Sequence, residues 1–255
     1  MILNKGRVTQ IGVIVAFVII WEIIGRNMDP IILVPPSSVG NAFIELVQKG
    51  ELFQRLSYTY GNILIGYAIG AVVGIPSGIA MGRWRSIQII ANPFVLALYG
   101  IPSLTLVPLF IIWIGFGQPL HLTIIFLFVI FIVLINTMDG VRSVDRNFVE
   151  TLRSFGGSER QLLTKVILPG SLPYIMTGLR LGMGRAVVAA VVVEMFLGGM
   201  GLGGGLTMYG DRFWTAEVIA LILIIGATNL GFTNFVKFLE QRWILRWRYT
   251  ITAFD

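Results

Sequence analysis

The feature that most constrains this chain is the length of its runs without a charged residue. No Asp, Glu, Lys or Arg lies between Arg55 and Arg83, and none lies from Ser86 to Met138. An apolar run of about 20 residues can cross a lipid bilayer as a helix. Only 13% of all residues are charged, whereas soluble domains carry about 25%. The sequence therefore predicts an all-α, polytopic membrane protein, because backbone amides in lipid must be satisfied internally.

The apolar runs predict six membrane-spanning helices in one transmembrane domain of residues 1–255. Three prolines fall within the third run, which predicts a kinked or broken helix. The fifth run is interrupted by charged residues and is the least regular of the six. The predicted spans are residues 9–25, 57–82, 87–114, 119–138, 172–198 and 217–238.

The basic residues predict the orientation of these spans. Cytoplasmic loops of membrane proteins carry an excess of Lys and Arg. With the N-terminus in the cytoplasm, thirteen basic residues fall on the cytoplasmic side and four on the other, namely Arg26, Lys49, Arg55 and Arg212. Both termini are therefore expected in the cytoplasm, and no cleavage site marks the first span as a removed signal peptide.

The first external loop has the pattern of a helix. Ser38 is the expected N-cap, Gly50 the expected stop, and apolar residues between them recur at helical spacing. Such a helix either lies on the outer face of the membrane or packs against the protein.

Five glycines recur every four residues along the second span. Small residues at this spacing let a neighbouring helix approach closely. Tight packing is the main expectation, and a sliding surface in a moving transporter is the alternative. The glycines are Gly66, Gly70, Gly74, Gly78 and Gly82.

A polar segment of about residues 143–169 separates spans four and five. Its apolar residues predict a short amphipathic helix with Asp145 in the first turn, and Gly156–Gly157 allow a sharp turn after it. Ser158 then begins a second helix, with Gln161 at the capping-box position. Pro169 and Pro173 are expected to limit that second helix and to start the fifth span. The segment is predicted to form a cytoplasmic helix–turn–helix elbow.

The residues from Glu150 to Pro169 read E-T-L-x3-G-x9-V-I-L-P. This pattern resembles the E-A-A-x3-G-x9-I-x-L-P signature of the membrane subunits of binding-protein-dependent ABC importers. The flanking stretches LVPPSSV, TMDGVRSVD and LPYIMTGLRLGMGRA resemble the nitrate, sulfonate, taurine and bicarbonate branch of that family. The resemblance covers about residues 33–248. The chain departs from it at Thr151 and Leu152, and at Leu104–Thr105 in the third span.

The resemblance implies that the elbow is a coupling helix, which docks on a separate ATP-hydrolysing subunit. It implies an importer of a small anion in the bacterial inner membrane, with two ATPase subunits, an external binding protein and a second permease copy. ATP and Mg would be held by the partner, since no lysine here follows a glycine as the Walker A motif requires. The chain itself is expected to be neither an enzyme nor a cofactor-binding protein. The residues assigned to ATPase coupling are Glu150, Arg153, Phe155, Gly156, Gly157, Ser158 and Pro169.

The broken third span is the predicted wall of the translocation pathway, although a plain kink also explains its prolines. Prolines free backbone carbonyls, and broken helices are tolerated in a membrane where they line a cavity. Glu194 is a further candidate, because an acidic residue within a span normally faces protein or water. It lines the pathway, pairs with Arg180 or Arg185, or lies near the outer interface. The other candidates are Tyr99, Pro102, Ser103, Thr105 and Trp113.

Two other patterns argue against alternative functions. Gly199, Gly201 and Gly204 match G-x-G-x-x-G, but no strand precedes them, so we expect a flexible or re-entrant external loop rather than a dinucleotide site. The absence of cysteine and the single histidine, His121, exclude a Cys- or His-rich metal site. An ion-coupled secondary transporter is the rival class, and an ABC importer of a larger organic solute is the other alternative. Inverted repeats would favour the rival class, and none is found.

Overall fold

The computed structural model describes the backbone of residues 2–248 and its side chains except those of residues 2–8, 103, 239–241 and 243–248. Within that range the chain is built of helices joined by short connections, which confirms the all-α prediction. A 3-10 turn, Ser103–Leu106, precedes α5, and a π-helical segment, Leu163–Ile167, precedes α9. The helices are α1 Ile2–Asn27, α2 Pro36–Gln48, α3 Glu51–Arg83, α4 Arg85–Gly100, α5 Val107–Ile114, α6 Gln118–Arg142, α7 Arg146–Ser154, α8 Glu159–Leu162, α9 Leu168–Leu197, α10 Gly201–Gly210 and α11 Thr215–Arg248.

The helices group into two compact units. The first contains the residues up to Thr59 together with Glu194–Ala227, and the second contains Tyr60–Val193 together with the stretch from Thr228. The first unit holds α1, α2 and α10. The second holds α4 to α8.

In the second unit, the glycine face of α3 packs directly on α6. A Cβ added at Gly66 would lie 2.7 Å from Ile125 Cγ2, and one at Gly82 would lie 2.6 Å from Val141 Cβ. The glycines between them meet Val129, Val133 and Thr137 at the same four-residue steps. Close packing of the two backbones is therefore confirmed as the role of these glycines.

The register of this contact shows that α3 and α6 run in the same direction. Residue numbers rise together along both helices, from Gly66 beside Ile125 to Gly82 beside Val141. The chain between them must therefore return along the full length of the pair. The α4–α5 segment, bent by 83° at its break, is consequently one broken crossing and not a re-entrant loop.

Helix α9 runs in the opposite direction along α6. Gly140 of α6 faces Tyr174, whereas Gly178 of α9 faces Asn136. Further along, His121 forms a hydrogen bond with the backbone of Ala190. This helix is 30 residues long and follows α6 for nearly its whole length, so the charged residues in the fifth predicted span do not interrupt the helix.

Among the described residues, four helices are individually long and apolar enough to cross a membrane, and the count is six when each of the two bent pairs is one span. The pairs are α4 with α5, and the helical stretch Glu159–Leu197 with α10. The six predicted spans each fall within these elements.

The first-unit helix α2 confirms the predicted loop helix but begins earlier than expected. It starts at Pro36, and its N-cap position is Pro35, which offers no side-chain cap. Glu22 of α1 supplies the missing acceptor, since its carboxylate takes hydrogen bonds from Ser37 N at 3.1 Å and Ser37 Oγ at 2.8 Å. The assignment of Ser38 as N-cap is therefore wrong. Gly50 does end the helix, with φ of 70°.

We expect Gly78→Ala to destabilise the protein, because the new Cβ would lie 2.5 Å from the backbone oxygen of Leu134. Overpacking of this kind costs about 1–3 kcal/mol. Gly61→Ala is the matched control on the same helix, since its Cβ would meet nothing within 4 Å. The control should be neutral or gain about 0.5–1 kcal/mol. Thermal unfolding of the purified variants in detergent measures both, and equal transition temperatures would contradict the packing role.

Candidate functional site

The predicted elbow forms in the second unit with the expected capping. The Asp145 side chain accepts a hydrogen bond from Asn147 N at 2.9 Å and begins α7. After the turn, Ser158 N donates to Gln161 Oε1 at 2.8 Å, and Gln161 N donates to Ser158 Oγ at 3.3 Å. This reciprocal pair is the predicted capping box. The start of each elbow helix is therefore capped by a side chain of the elbow itself.

The two glycines of the turn have different roles. Gly156 has φ of 72°, a conformation that side chains rarely adopt, and a Cβ there would meet nothing within 4 Å. At Gly157 a Cβ would lie 2.6 Å from Leu152 Cγ and 2.8 Å from Leu152 O. Gly156 thus provides the backbone turn, and Gly157 allows the chain to pass close to α7.

A buried apolar cluster attaches the elbow to the membrane helices of its unit. Leu162 of α8 is 1% exposed and packs with Val141 at the end of α6 and with Ile167. Leu152 and Val149 of α7 pack against the same cluster. The elbow is therefore held by the ends of the crossings, and a displacement of the elbow would be transmitted to them.

An ion-pair network makes a second attachment, to the end of α3. Arg83 Nη2 lies 2.5 Å from Glu159 Oε2, and Arg153 Nη2 lies 3.1 Å from Glu159 Oε1. Arg83 and Glu159 were not assigned to the coupling site from the sequence. Arg83 is one of the thirteen basic residues predicted on the cytoplasmic side, where the elbow is also predicted to lie. That shared side was the signal in the sequence for a contact between Arg83 and the elbow.

The opposite surface of the elbow is open. Phe155 is 84% exposed and Phe148 is 64% exposed. Large apolar side chains this exposed on a polar segment indicate a docking surface. The sequence-assigned residues Glu150, Arg153 and Ser158 are also exposed.

Pro169 and Pro173 do not limit the second helix of the elbow, so that part of the expectation is wrong, whereas Pro169 does lie at the start of α9, the helix of the fifth span. The chain continues without interruption from α8 through the π-helical segment into α9, where Pro169 lies in the first turn. Proline is tolerated at the start of a helix, where its missing N–H has no partner to lose. The wider turn of the preceding π segment accommodates the break in the hydrogen-bonding pattern. Pro169 itself is exposed.

The broken third span places most of the pathway candidates at its break. Tyr99 is 48% exposed near the end of α4, and Trp113 is 68% exposed on α5. Pro102 and Thr105 are exposed between them, and Thr105 Oγ1 donates to the Pro102 carbonyl at 2.7 Å. The side chain of Ser103 lies outside the described ones. Tyr99, the break and Trp113 are thus each exposed in the second unit.

Glu194 belongs to the first unit, where it is 1% exposed. Its Oε2 accepts hydrogen bonds from Thr59 Oγ1 and from Gly203 N, each at 2.9 Å. Thr59 Oγ1 in turn accepts from Leu202 N at 2.9 Å. The first turn of α10 therefore directs its N–H groups at a carboxylate from the end of α9, the arrangement that helix N-termini favour.

Arg55 binds the backbone carbonyls of the same segment between α9 and α10. Its Nη1 donates to Gly201 O at 2.9 Å and to Gly199 O at 3.1 Å, and its Nη2 donates to Glu51 Oε1 at 2.6 Å. The sequence placed Arg55 only in the charge count. Its pairing with Glu51 has the four-residue spacing of a helical ion pair and could have been predicted, whereas its contacts with Gly199 and Gly201 cross more than 140 residues and had no local signal. Of the two arginines named as possible partners of Glu194, Arg185 is exposed and Arg180 is half-buried in the second unit.

The glycine-rich segment after α9 is not a flexible loop, which corrects the flexible half of that expectation, and the re-entrant half stays a prediction. Residues 201–205 are buried in α10. Gly198, Gly199 and Gly201 have φ of 69°, 73° and 74°, and a Cβ at Gly201 would lie 2.2 Å from Glu194 Cδ. The glycines are required because the backbone must turn sharply around the carboxylate. The G-x-G-x-x-G pattern here surrounds a side chain of the chain itself.

The chain was compared with known families and proteins. The family described as "Binding-protein-dependent transport system inner membrane component" matches residues 66–245. The taurine transport system permease protein TauC of Escherichia coli is 30% identical over 231 residues, which cover 88% of this chain and 84% of that protein. The bicarbonate transport system permease protein CmpB of Synechococcus elongatus is 30% identical over 253 residues, which cover 94% of this chain and 90% of that protein.

A solved structure shares the fold. A chain of an amino acid ABC transporter superposes with a TM-score of 0.65 at 18% identity, covering 78% of this chain and 98% of that one. The predicted architecture is therefore confirmed as that of an importer-type permease.

Proposed function

Because the chain belongs to the family of inner membrane components of binding-protein-dependent transport systems, we propose that it passes a small anion from an external binding protein into the cytoplasm. The free energy for this movement comes from ATP hydrolysis in a separate subunit that docks on the elbow. The chain performs no covalent chemistry and binds no cofactor, and ATP and Mg are held by that partner.

The observation that carries the proposal is the combination of an exposed elbow surface with a buried attachment. Phe155 is 84% exposed, whereas Leu162 is 1% exposed against the end of α6. The Arg83–Glu159 ion pair connects the same elbow to the end of α3. A partner that pulls on the exposed surface would therefore move the ends of two crossings together.

We propose that the elbow and both termini lie in the cytoplasm of a bacterial cell. The excess of basic residues on the elbow side supports this orientation. The direction of the crossings agrees with it, because α3 and α6 run in the same direction and α9 runs in the opposite direction. Each of the six spans would then alternate in direction, and an even number returns the chain to the side on which it began.

The proposed assembly contains two permease chains, two ATPase subunits and one external binding protein. Each chain offers one coupling elbow, so a pair of ATPase subunits requires a second permease, most simply an identical copy related by two-fold symmetry. Binding and hydrolysis of ATP would then move both elbows and switch access to the pathway between the two faces.

The proposed cargo class is a small anion such as a sulfonate, nitrate or bicarbonate. The names of the taurine and bicarbonate permeases support it. The candidate pathway contacts are Tyr99, Pro102, Ser103, Thr105, Trp113 and Glu194. Leu104–Thr105, in the predicted pathway wall, differ from the residues typical of that branch. Any difference in cargo selectivity between this chain and its relatives would therefore arise there. Family membership does not favour an ion-coupled secondary transporter.

Single-cysteine labelling tests the orientation, since the chain contains no cysteine. We expect Thr151→Cys on the exposed surface of α7 to react with an impermeant maleimide only in inverted vesicles. Asn41→Cys, which is exposed on α2, should react only in intact cells and serves as the matched control. Labelling of Thr151→Cys in intact cells alone would contradict the proposed topology.

The cargo is identified through the partner binding protein. The protein is purified without added ligand, and the small molecule that it carries is identified by mass spectrometry and titrated against ATP hydrolysis by the reconstituted complex. A sulfonate, nitrate or bicarbonate that stimulates hydrolysis supports the anion class. A neutral or cationic ligand that does so would contradict it.

A further inference from the structure

The first unit contains a cavity of about 320 Å³ that the coupling and pathway residues do not use. It lies where the end of α2, the start of α3 and the turn from α10 into α11 meet. Its polar and aromatic lining consists of Glu45, Lys49, Glu51, Tyr209, Trp214 and Glu217. In the proposed orientation this cavity lies on the external face, with the loop between spans one and two.

Carboxylates are the most frequent charged groups in the lining of this cavity, although the chain as a whole carries +6. Two of the three are already paired, Glu45 with Lys49 at 2.5 Å and Glu51 with the buried Arg55 at 2.6 Å. The hydrogen bond to Glu45 raises the pKa of the Lys49 ammonium above its usual value, and the charges of Glu51 and Glu217 act in the same direction. An additional cation beside the Glu217 carboxylate would therefore be stabilised.

Two of the carboxylates keep capacity to accept hydrogen bonds. The donors to Glu51, from Arg55 and from Tyr209 Oη, all end on Oε1, at distances of 2.6–3.1 Å. Within the described part of the chain, no hydrogen bond or ion pair ends on Glu217. Glu51 Oε2 and the Glu217 carboxylate are thus available to a donor that enters the cavity.

The aromatic wall already binds guanidinium groups on its ring faces. Tyr209 and Trp214 stack with their centroids 5.7 Å apart. Arg212 Cζ lies 5.3 Å from the Trp214 centroid, and Arg55 Cζ lies 5.6 Å from the Tyr209 centroid. Aromatic faces beside carboxylates are the combination that recognises Lys and Arg side chains.

We propose that this cavity receives a basic side chain of the external binding protein when that protein docks on the permease. The inference rests on the proposed function, which supplies the partner and places the cavity outside the cell. Charge complementarity selects the occupant, because a basic side chain would pair with Glu217 and with the open Oε2 of Glu51, whereas the one cation among the lining residues, Lys49, is already paired with Glu45. The cavity is therefore a docking site and not part of the cargo pathway.

Glu51 connects this docking site to the buried Glu194 arrangement. Glu51 lines the cavity, and its Oε1 accepts a hydrogen bond from Arg55. Arg55 Nη1 in turn donates to the carbonyls of Gly199 and Gly201. A basic side chain that enters the cavity would bind Glu51 at Oε2 and so weaken the pairing of the same carboxylate with Arg55 through Oε1. Docking would thereby loosen the carbonyl contacts that fix the segment between α9 and α10.

The test is a titration of the binding protein against ATP hydrolysis by the complete complex in lipid vesicles. We expect Glu217→Lys to raise the half-stimulating concentration at least tenfold, with basal hydrolysis unchanged. Asp211→Lys is the matched control, because Asp211 is an exposed carboxylate outside the cavity lining. It should change the concentration less than twofold. A Glu217→Lys value within twofold of wild type, or equal values for the two variants, would overturn the proposal.

Two further measurements keep the test decisive. Glu217→Gln, which is less disruptive than charge reversal, should weaken the dependence of the half-stimulating concentration on salt, since one cross-interface charge pair is removed. A binding-protein variant with one Lys or Arg changed to Glu should restore docking to Glu217→Lys, and failure of every such variant would contradict a basic occupant. If the wild-type complex is not stimulated at all, the proposed function fails, which is distinguishable from a wild-type response with no effect of Glu217.

Discussion

Gly201→Ala is expected to destabilise the protein strongly and to abolish transport. The new Cβ would lie 2.2 Å from Glu194 Cδ and 2.4 Å from both carboxylate oxygens, at a residue whose φ is 74°. The left-handed conformation costs about 1–2 kcal/mol, and overpacking costs about 1–3 kcal/mol. Displacement of the carboxylate would also leave the N–H of Gly203 without its acceptor. A total loss of about 2–5 kcal/mol is therefore expected in thermal unfolding.

Gly210→Ala is the matched control for this change. It lies on the same helix, its φ is not positive, and its Cβ would meet nothing within 4 Å. The control should unfold at the wild-type temperature or slightly above it, with transport retained. If Gly201→Ala unfolds and transports like Gly210→Ala, then the carboxylate does not hold α10 in the way the structure indicates.

Phe155→Ala is expected to separate folding from coupling. The side chain is 84% exposed, so its loss should leave the stability of the isolated permease unchanged. At the centre of an interface, an aromatic residue of this kind contributes about 2–4 kcal/mol, which corresponds to roughly 30- to 1000-fold weaker binding. The ATPase subunit should therefore no longer co-purify with the variant, and uptake should be lost.

Phe53→Ala is the control, since Phe53 is 78% exposed at the start of α3, away from the elbow in sequence. It removes an equally exposed phenylalanine and should leave co-purification unchanged. Wild-type binding of the ATPase by Phe155→Ala would show that the exposed tip of the elbow is not the docking surface.

Local and periodic patterns predicted the features that depend on neighbouring residues. The charge-free runs predicted the crossings because solvation by lipid acts on each segment separately. The elbow was predicted in detail, since Asp145, Ser158 and Gln161 cap their helices through contacts within three residues. The four-residue glycine spacing predicted close packing, but the identity of the partner helix, α6, came only from the structure.

The features that were missed depend on contacts between residues distant in sequence. Glu22 caps α2 from fifteen residues earlier, which made Ser38 the wrong choice. Arg55 and Thr59 contact the segment around Gly199–Gly203 across more than 130 residues. These contacts hold in place a segment whose glycine-rich composition predicted flexibility. Pro169 was read as a helix end because the π-helical segment before it has no sequence signal.

The central claim is that ATP hydrolysis in a separate subunit drives import through this chain. The most direct measurement is uptake of the binding protein's ligand into vesicles that contain the permease, with and without the ATPase subunit and Mg-ATP, and with an ionophore that collapses ion gradients. The account predicts uptake only when the ATPase subunit and Mg-ATP are both present, at a rate unchanged by the ionophore. Uptake by the permease without the ATPase, abolished by the ionophore, would contradict it.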